Sequence, residues 1–337
     1  MPTASATPAR ERNRRLVTAV VLVPALAVLA LWAFAWPAAR IAPRDLPLGV
    51  AGPAAATAQV EQRLEHEKGA FEIHHYADET AARSAIEDRT VYGAVVVTAR
   101  GPKLLTASAA SPVVAQLLQQ AVAQQTAANG TQVRTVDVVA APANDPRGAA
   151  LSSSVLPLAL AGIVAGAAVT ALGLRGRRAV IALVAGAGLV GGAAAGLAHS
   201  WLGVLTGDWW AEAGVLGLAT LAVGAAVAGL AALLGSAGLG LGAGLVMLLG
   251  NPFSGASSAP QMLPDPVGAI GQWLPPGASA TLLRSVSYFD GAAATGPALT
   301  LTWWAALGLG AVLVGGALKA RAEVTEPVAE RGLAQVG

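Results

Sequence analysis

Between Leu151 and Leu318 the chain carries only eight charged residues, and each falls in a short break between long apolar runs. A charge at the centre of a membrane-spanning helix costs roughly 2.5–3.5 kcal/mol on insertion scales, so spanning segments keep their charges at the ends. A soluble helix obeys no such rule, because one of its faces meets water. The runs are approximately Val155–Leu174, Ala179–Ala198, Ala213–Leu234, Gly238–Gly250 and Pro297–Leu318, with one more near the N-terminus at Leu16–Trp36. About 20 apolar residues cross the roughly 30 Å of hydrocarbon. Gly238–Gly250 falls short, so it either thins the bilayer or continues into 251–259 under cover of protein. Only 12% of residues are charged, against about 25% in soluble domains. The expectation is an α-helical membrane protein: six transmembrane helices with an extracytoplasmic mixed α/β domain inserted after the first.

The first run follows Arg10-Glu11-Arg12-Asn13-Arg14-Arg15. That flank could open a secretory signal cleaved near Ala33 or Ala35, but the run exceeds the about 7–15 residues of a signal's apolar region, which favours an uncleaved anchor. Lys and Arg in short loops stay on the cytoplasmic side. The N-terminal flank has Arg10, Arg12, Arg14 and Arg15, the loop between spans two and three has Arg175, Arg177 and Arg178, and the last span is followed by Lys319 and Arg321. With six spans these flanks share one side. The loop His199–Glu212 holds Asp208 and Glu212, no Lys or Arg, and Trp201, Trp209 and Trp210 as interfacial anchors. Arg40 and Arg44 run against the pattern, but they open a long domain, and long domains translocate regardless of charge. Both termini of this multi-pass protein are therefore expected in the cytoplasm. The divisions are a basic N-terminus (1–15), a first span (16–36), the extracytoplasmic domain (40–150), a five-helix bundle (151–318) and a cytoplasmic tail (319–337).

Alternation and helical spacing in the polar segment predict strands at Leu46–Val50, Ala70–His75, Tyr92–Thr98, Lys103–Ala107 and Val133–Ala140. Helices are predicted at Ala54–Lys68, Asp78–Asp88, with Asp78 as N-cap, and Pro112–Ala128. Ala141–Gly148 is a turn-rich linker. His74 and His75 suggest a metal site, yet adjacent strand residues point to opposite faces and no third ligand has useful spacing. No metal, cofactor or catalytic residue is expected, and no nucleic acid as a partner. The chain has no cysteine, no Walker A motif and no serine elbow. Gly186-Ala187-Gly188-Leu189-Val190-Gly191 matches a dinucleotide fingerprint, but it lies inside an uncharged span rather than after a soluble strand. Small residues spaced for close helix contact explain it better: Gly188, Gly192 and Gly196, likewise Gly162 with Gly166, and Gly238 and Gly240 with Gly242 and Gly244.

The most distinctive stretch lies between the last two apolar runs. It contains Gly250-Asn251-Pro252-Phe253-Ser254-Gly255, Met262-Leu263-Pro264, Leu274-Pro275-Pro276-Gly277-Ala278, Arg284, and Tyr288-Phe289-Asp290-Gly291. Prolines break it into pieces too apolar for an ordinary loop. Ala278–Phe289 can form a helix that turns Leu282, Leu283, Val286 and Phe289 to membrane or protein while Arg284 snorkels to the interface. Irregular backbone at membrane depth is tolerated only when protein or an aqueous cavity covers it, which implies a re-entrant or interfacial segment over 251–291.

These residues, with the order of one span, an external α/β domain and five spans, resemble the type-2 ABC transporter permease superfamily, and within it the phage infection protein-like bacterial membrane proteins. The resemblance implies a dimeric exporter of an amphiphilic lipid, peptide or drug, homodimeric or heterodimeric, driven by a separate ATP-binding subunit. It also implies a transport or gating role for Asn251, Pro252, Phe253, Pro264, Pro275, Pro276, Gly277, Arg284, Tyr288 and Phe289. The pattern departs at one place: Gly173–Arg178 leaves room for a turn only, where such permeases present a coupling helix. ATPase docking would then fall to Arg10–Arg15 and Gly235–Ala237. A non-transporting scaffold or receptor-like accessory protein of a secretion or envelope system is the alternative.

Overall fold

The computed structural model describes residues 9–99, 101–129 and 133–334. The ends of the predicted N-terminus and tail, and the side chains of Arg10, Arg12 and Arg15, lie outside the described residues. Helix α1 (Ala9–Ala38) leads into an α/β unit: β1 (Leu46–Ala51), α2 (Ala54–His66), β2 (Phe71–Tyr76), α3 (Glu79–Glu87), β3 (Gly93–Thr98), β4 (Gly101–Thr106), α4 (Pro112–Asn129) and β5 (Arg134–Asp137). Each element expected from periodicity forms, with ends shifted by a few residues. Asp78 caps α3 as expected, accepting from the Ala81 amide at 2.9 Å.

The strands make one sheet in the order β2-β1-β3-β4-β5. Only the β3–β4 pair is antiparallel. The alternation of side chains divides the core in two. Leu46, Leu48 and Leu104 face Val114 and Leu118 of α4, while Ala51, Ala94, Val96 and Leu105 face Ala82, Ala85 and Ile86 of α3.

The bundle follows: α5 (Ala149–Ala171), α6 (Gly176–Ala195) with a π-helical turn at Gly196–Trp201, α7 (Trp209–Leu234), α8 (Ser236–Gly244) with a second π turn at Leu245–Gly250, α9 (Val267–Gln272), α10 (Pro275–Tyr288) and α11 (Thr295–Ala334). Five helical stretches are long and apolar enough to cross a bilayer: Leu16–Ala38, Ala149–Ala171, Gly176–Trp201, Trp209–Leu234 and Thr295–Arg321. The chain is accordingly a helical membrane protein with a small mixed sheet. The sixth expected run differs. Helix α8 and its π turn, Ser236–Gly250, reach at most roughly 22 Å at 1.5 Å per residue, and the chain then continues into the buried residues Phe253 and Ser254.

Helix α7 forms the centre. Of its most apolar window 78% is buried, against 6% for α1 at the periphery. Small residues let its neighbours come close: a Cβ on Gly166 of α5 would stand 2.8 Å from the Gly224 carbonyl oxygen, and one on Gly229 2.7 Å from that of Gly308 in α11. Glycine ridges allow such contacts because no side chain separates the backbones. Gly162, Gly238 and Gly242 are used in the same way, whereas Gly240 and Gly244, and Gly188, Gly192 and Gly196 on α6 and its π turn, face open space. Trp201 and Trp210 are exposed, as interfacial anchors require.

Candidate functional site

The segment between α8 and α11 lies against the α/β unit and is part of its core. Met262, 2% exposed, sits with Ala259 among Leu46, Leu48, Leu104, Val114 and Leu118 on one face of the sheet. Phe289 joins Ala51, Ala82, Ile86 and Val91 on the other. The sheet unit is thus sealed on both faces by side chains from a stretch far along the chain. Apolar side chains bury where part of a face is left uncovered, and here Met262 and Phe289 extend the cover that α4 and α3 give the two faces of the sheet.

Polar contacts reinforce the joint. Backbone amides of Ala42 and Arg44 donate to the Met262 and Gln261 carbonyls at 3.0 and 2.9 Å. The Arg44 guanidinium donates to Met262 O at 3.1 Å and to Arg40 O at 2.9 Å, and Arg40 lies over the Trp36 ring. The two arginines that broke the charge pattern therefore tie α1 to the segment. The Tyr92 hydroxyl donates to Gln261 Oε1 at 2.9 Å, and burial raises its pKa.

Arg89 follows the C-cap of α3 with φ 60°, a left-handed conformation without glycine, which costs about 1–2 kcal/mol. From there its guanidinium donates to Thr281 O at 3.0 Å and to Ser285 Oγ, both on α10, and lies over the Phe289 ring at 5.2 Å. Arg284, 5% exposed, is beside it on the same helix and donates from Nη2 to the Ala256 carbonyl. The expected snorkelling does not occur. Protein covers this face of α10, so the side chain meets the Ala256 carbonyl instead of the interface. Burial lowers the pKa of both guanidinium groups, Arg284 to about 10. Among the described residues neither has a carboxylate within ion-pair distance. Two like charges in such surroundings, Arg284 buried and Arg89 half-buried, favour negative charge nearby.

The other residues expected in the segment are brought together with them. Pro275 and Pro276 occupy the first turn of α10, where their missing amide donors cost nothing. Pro276 lies against Gly250, at 2.8 Å from a Cβ built there. Phe253 packs with Leu263 and Val267 against Trp36 of α1 and Leu249. Pro264 and Gly277 are buried, Asn251 and Pro252 half-buried. Gln272 links Ser254 O, at 3.1 Å, to the Thr281 hydroxyl, at 2.6 Å. Tyr288 donates to Val204 O at 2.7 Å. Its pKa is raised, by burial first and then by Asp145 and Glu212.

Sequence reasoning missed a second polar cluster. Glu212 is fully buried, its Oε1 accepting from the Gly207 amide and its Oε2 meeting His199 Nδ1, each at 2.8 Å. Both residues belong to helices long enough to span, so these two span ends are not free of ionisable groups. Their signal was present as two titratable residues flanking one short turn, and had been read as loop charge. Asp145, 6% exposed, was likewise hidden in the linker; it accepts from the Ala149 and Ala150 amides and caps α5. His74 and His75 pair with different carboxylates, those of Glu72 and Glu61. Among the described residues no three His, Cys, Asp or Glu side chains converge as a metal site would need. No protein-family model matches the chain, and neither a curated protein nor a solved structure does.

Proposed function

We propose that this chain is the permease-like subunit of an exporter of amphiphilic substrates in the plasma membrane of a bacterium, energised by a separate ATP-binding subunit. The observation that carries the proposal is the shared core at the junction. Met262 and Phe289 are set in the sheet unit, and α10, which bears Arg284, packs on α7 and α11. A displacement of the bundle is then transmitted to the sheet unit, and the reverse, because packed cores move as units rather than deform. Positive charge in the short flanks supports termini in the cytoplasm and the sheet unit outside. The open Gly188–Gly192–Gly196 ridge on α6 suits a second copy of the chain.

The test is reconstitution with a candidate ATPase subunit. A stable complex is expected, with ATP hydrolysis that changes on adding amphiphilic substrate. Failure to associate with any such subunit would sink the exporter. Cysteine placed at Glu67 should be labelled by an impermeant maleimide in intact cells, and at Arg177 only after permeabilisation; the reverse pattern overturns the orientation. One observation favours the alternative of a non-transporting scaffold. Only a short turn separates Ala171 of α5 from Gly176 of α6, where a coupling helix would be expected.

A further inference from the structure

Arg89 reaches from the end of α3 onto α10, the helix that bears Arg284, and its charge acts on the Arg284 guanidinium. Arginine keeps its charge in proteins, and each guanidinium carries five N–H donors. Among the described residues Arg89 commits only Nη1, to Thr281 O and Ser285 Oγ, and Arg284 only Nη2, to Ala256 O. Nε and the other terminal nitrogen of each side chain meet no acceptor of the described protein. The acceptors in use are two carbonyls and a hydroxyl, none with a net charge, and the Phe289 ring adds its face to Arg89. Other polar groups close by are engaged elsewhere. Tyr92 donates to Gln261 Oε1 and Tyr288 to Val204 O. Asp145 and Glu212, the acidic residues that act on Tyr288, accept from the Ala149 and Ala150 amides and from the Gly207 amide, with His199 on the second oxygen of Glu212.

A cation taken out of water without a counter-charge is costly, and a second cation beside it adds repulsion. Here the two cations stand on the two units whose cores join, and both keep unused donors. The cover is close, with Ser285 fully buried and Arg284 nearly so, which suits a monatomic ion better than a bulky headgroup. Arg89, half-buried, gives the ion its approach. We propose that a chloride ion binds at the Arg89–Arg284 pair, taking N–H donors that the protein leaves without an acceptor, and so fastens the sheet unit to α10. One anion there turns a repulsion into two charge-assisted contacts. The rival explanation is that the carbonyls, the Phe289 ring and water compensate both cations by themselves. The inference does not rest on the exporter reading, since a scaffold with this joint carries the same two arginines.

The test uses the full chain, purified in detergent in sodium gluconate, with chloride replacing gluconate at constant ionic strength. Melting temperature and amide exchange are followed together. In the wild type the melting temperature should rise with the logarithm of chloride concentration above the dissociation constant. Exchange at the end of α3 and in α10 should slow, and bromide should act as chloride does. Arg284→Met should melt at or above the wild type in gluconate, because it removes one of two repelling cations. It should then need at least about tenfold more chloride for the same rise, the loss of one charge-assisted contact. Arg89→Met should lose the response in the same way, and Arg63→Met, an equal charge change on the exposed side of α2, should respond as the wild type does. If Arg284→Met does not fold, Arg284→Lys, which keeps a point charge without the fork, should show a smaller loss. A wild type that melts alike in chloride and gluconate overturns the proposal, as does an undiminished response in the Arg284 and Arg89 variants. So does stabilisation by inorganic phosphate where chloride has no effect, which marks an oxyanion site. ATPase association is a separate readout, so failure here leaves the exporter proposal where it stood.

Discussion

Arg63 and Arg284 carry the same guanidinium into opposite surroundings. Arg63 lies exposed on α2, and its removal is worth no more than about 0.5 kcal/mol. Arg284 is buried beside another cation, with one carbonyl acceptor and no carboxylate partner among the described residues. Exchange of a buried ion pair for apolar side chains of similar volume is often neutral, or stabilising by about 1–4 kcal/mol, and an unpaired cation has no such attraction to lose. Arg284→Met is therefore expected to leave the melting temperature in chloride-free buffer unchanged or higher, and, if the chain is the proposed exporter subunit, to reduce substrate-dependent ATP hydrolysis with its ATPase more than Arg63→Met does. A clear loss of stability in Arg284→Met would falsify this and make Arg284 a structural support for Ala256. Glu79 presents the ordinary case. Lys103 at 2.6 Å and Arg83 at 3.0 Å hold its carboxyl below the usual 4.5. A lowered folded-state pKa contributes stability above the unfolded value, and that contribution disappears as pH falls through the folded value. Glu79→Gln should lower the melting temperature at pH 7 and flatten its fall between about pH 5 and 3. An identical acid profile for both proteins would remove Glu79 from the balance. Neither environment is visible in the sequence. Arg284 reads there as a cation on an amphipathic helix, and Ala256, the group that receives it, carries no signal at all.

At the scale of elements, the segment around α9 and α10 is held by backbone contacts rather than by side-chain volume. A Cβ on Gly271 would collide with the Phe253 carbonyl, and one on Gly277 with that of Gly271. Gly271→Ala is expected to destabilise by about 1–3 kcal/mol, seen as reduced folded yield and a lower melting temperature in detergent. Gly192→Ala on α6 meets nothing within 4 Å and should be within about 0.5 kcal/mol of wild type. Comparable losses in both variants would mean that the carbonyl approach at Gly271 is not what tightens the segment. The existence of α2 to α4 and of the spans was legible because burial imposes periodicity and length. The end of α8 was legible only as two alternatives, thinning of the bilayer or continuation under cover of protein. Its run is too short to cross by itself, and the π turn and buried chain at 245–254 depend on cover from Pro276, Val267 and Leu263, which apolar character alone cannot specify.

For the whole molecule, the consequence is that the sheet unit and the bundle are one packed body at the junction. Truncating Phe289 removes a side chain from the α3 face, and truncating Met262 one from the α4 face. Phe to Ala in a core costs about 3–5 kcal/mol and Met to Ala about 2–5. Phe289→Ala should raise amide exchange in α3 and β1, and Met262→Ala in β1 and β4, although neither residue belongs to the sheet unit. Exchange confined to residues 251–291 in both variants would show that the unit is stable without the segment. The sequence by itself determined that the chain enters a membrane, where its apolar helices begin, and which α/β elements interrupt them. Those properties follow from local rules: the cost of a charge in hydrocarbon, the length of a span, and the period of a buried face. Only the tertiary structure decided that Arg89 reaches α10, that His199 and Glu212 close one turn, that Arg175 and Lys319 share a cavity, and that Met262 and Phe289 complete a sheet more than 120 residues before them. Such pairings depend on which surfaces remain uncovered after the local elements form, and an apolar face accepts any partner of fitting shape.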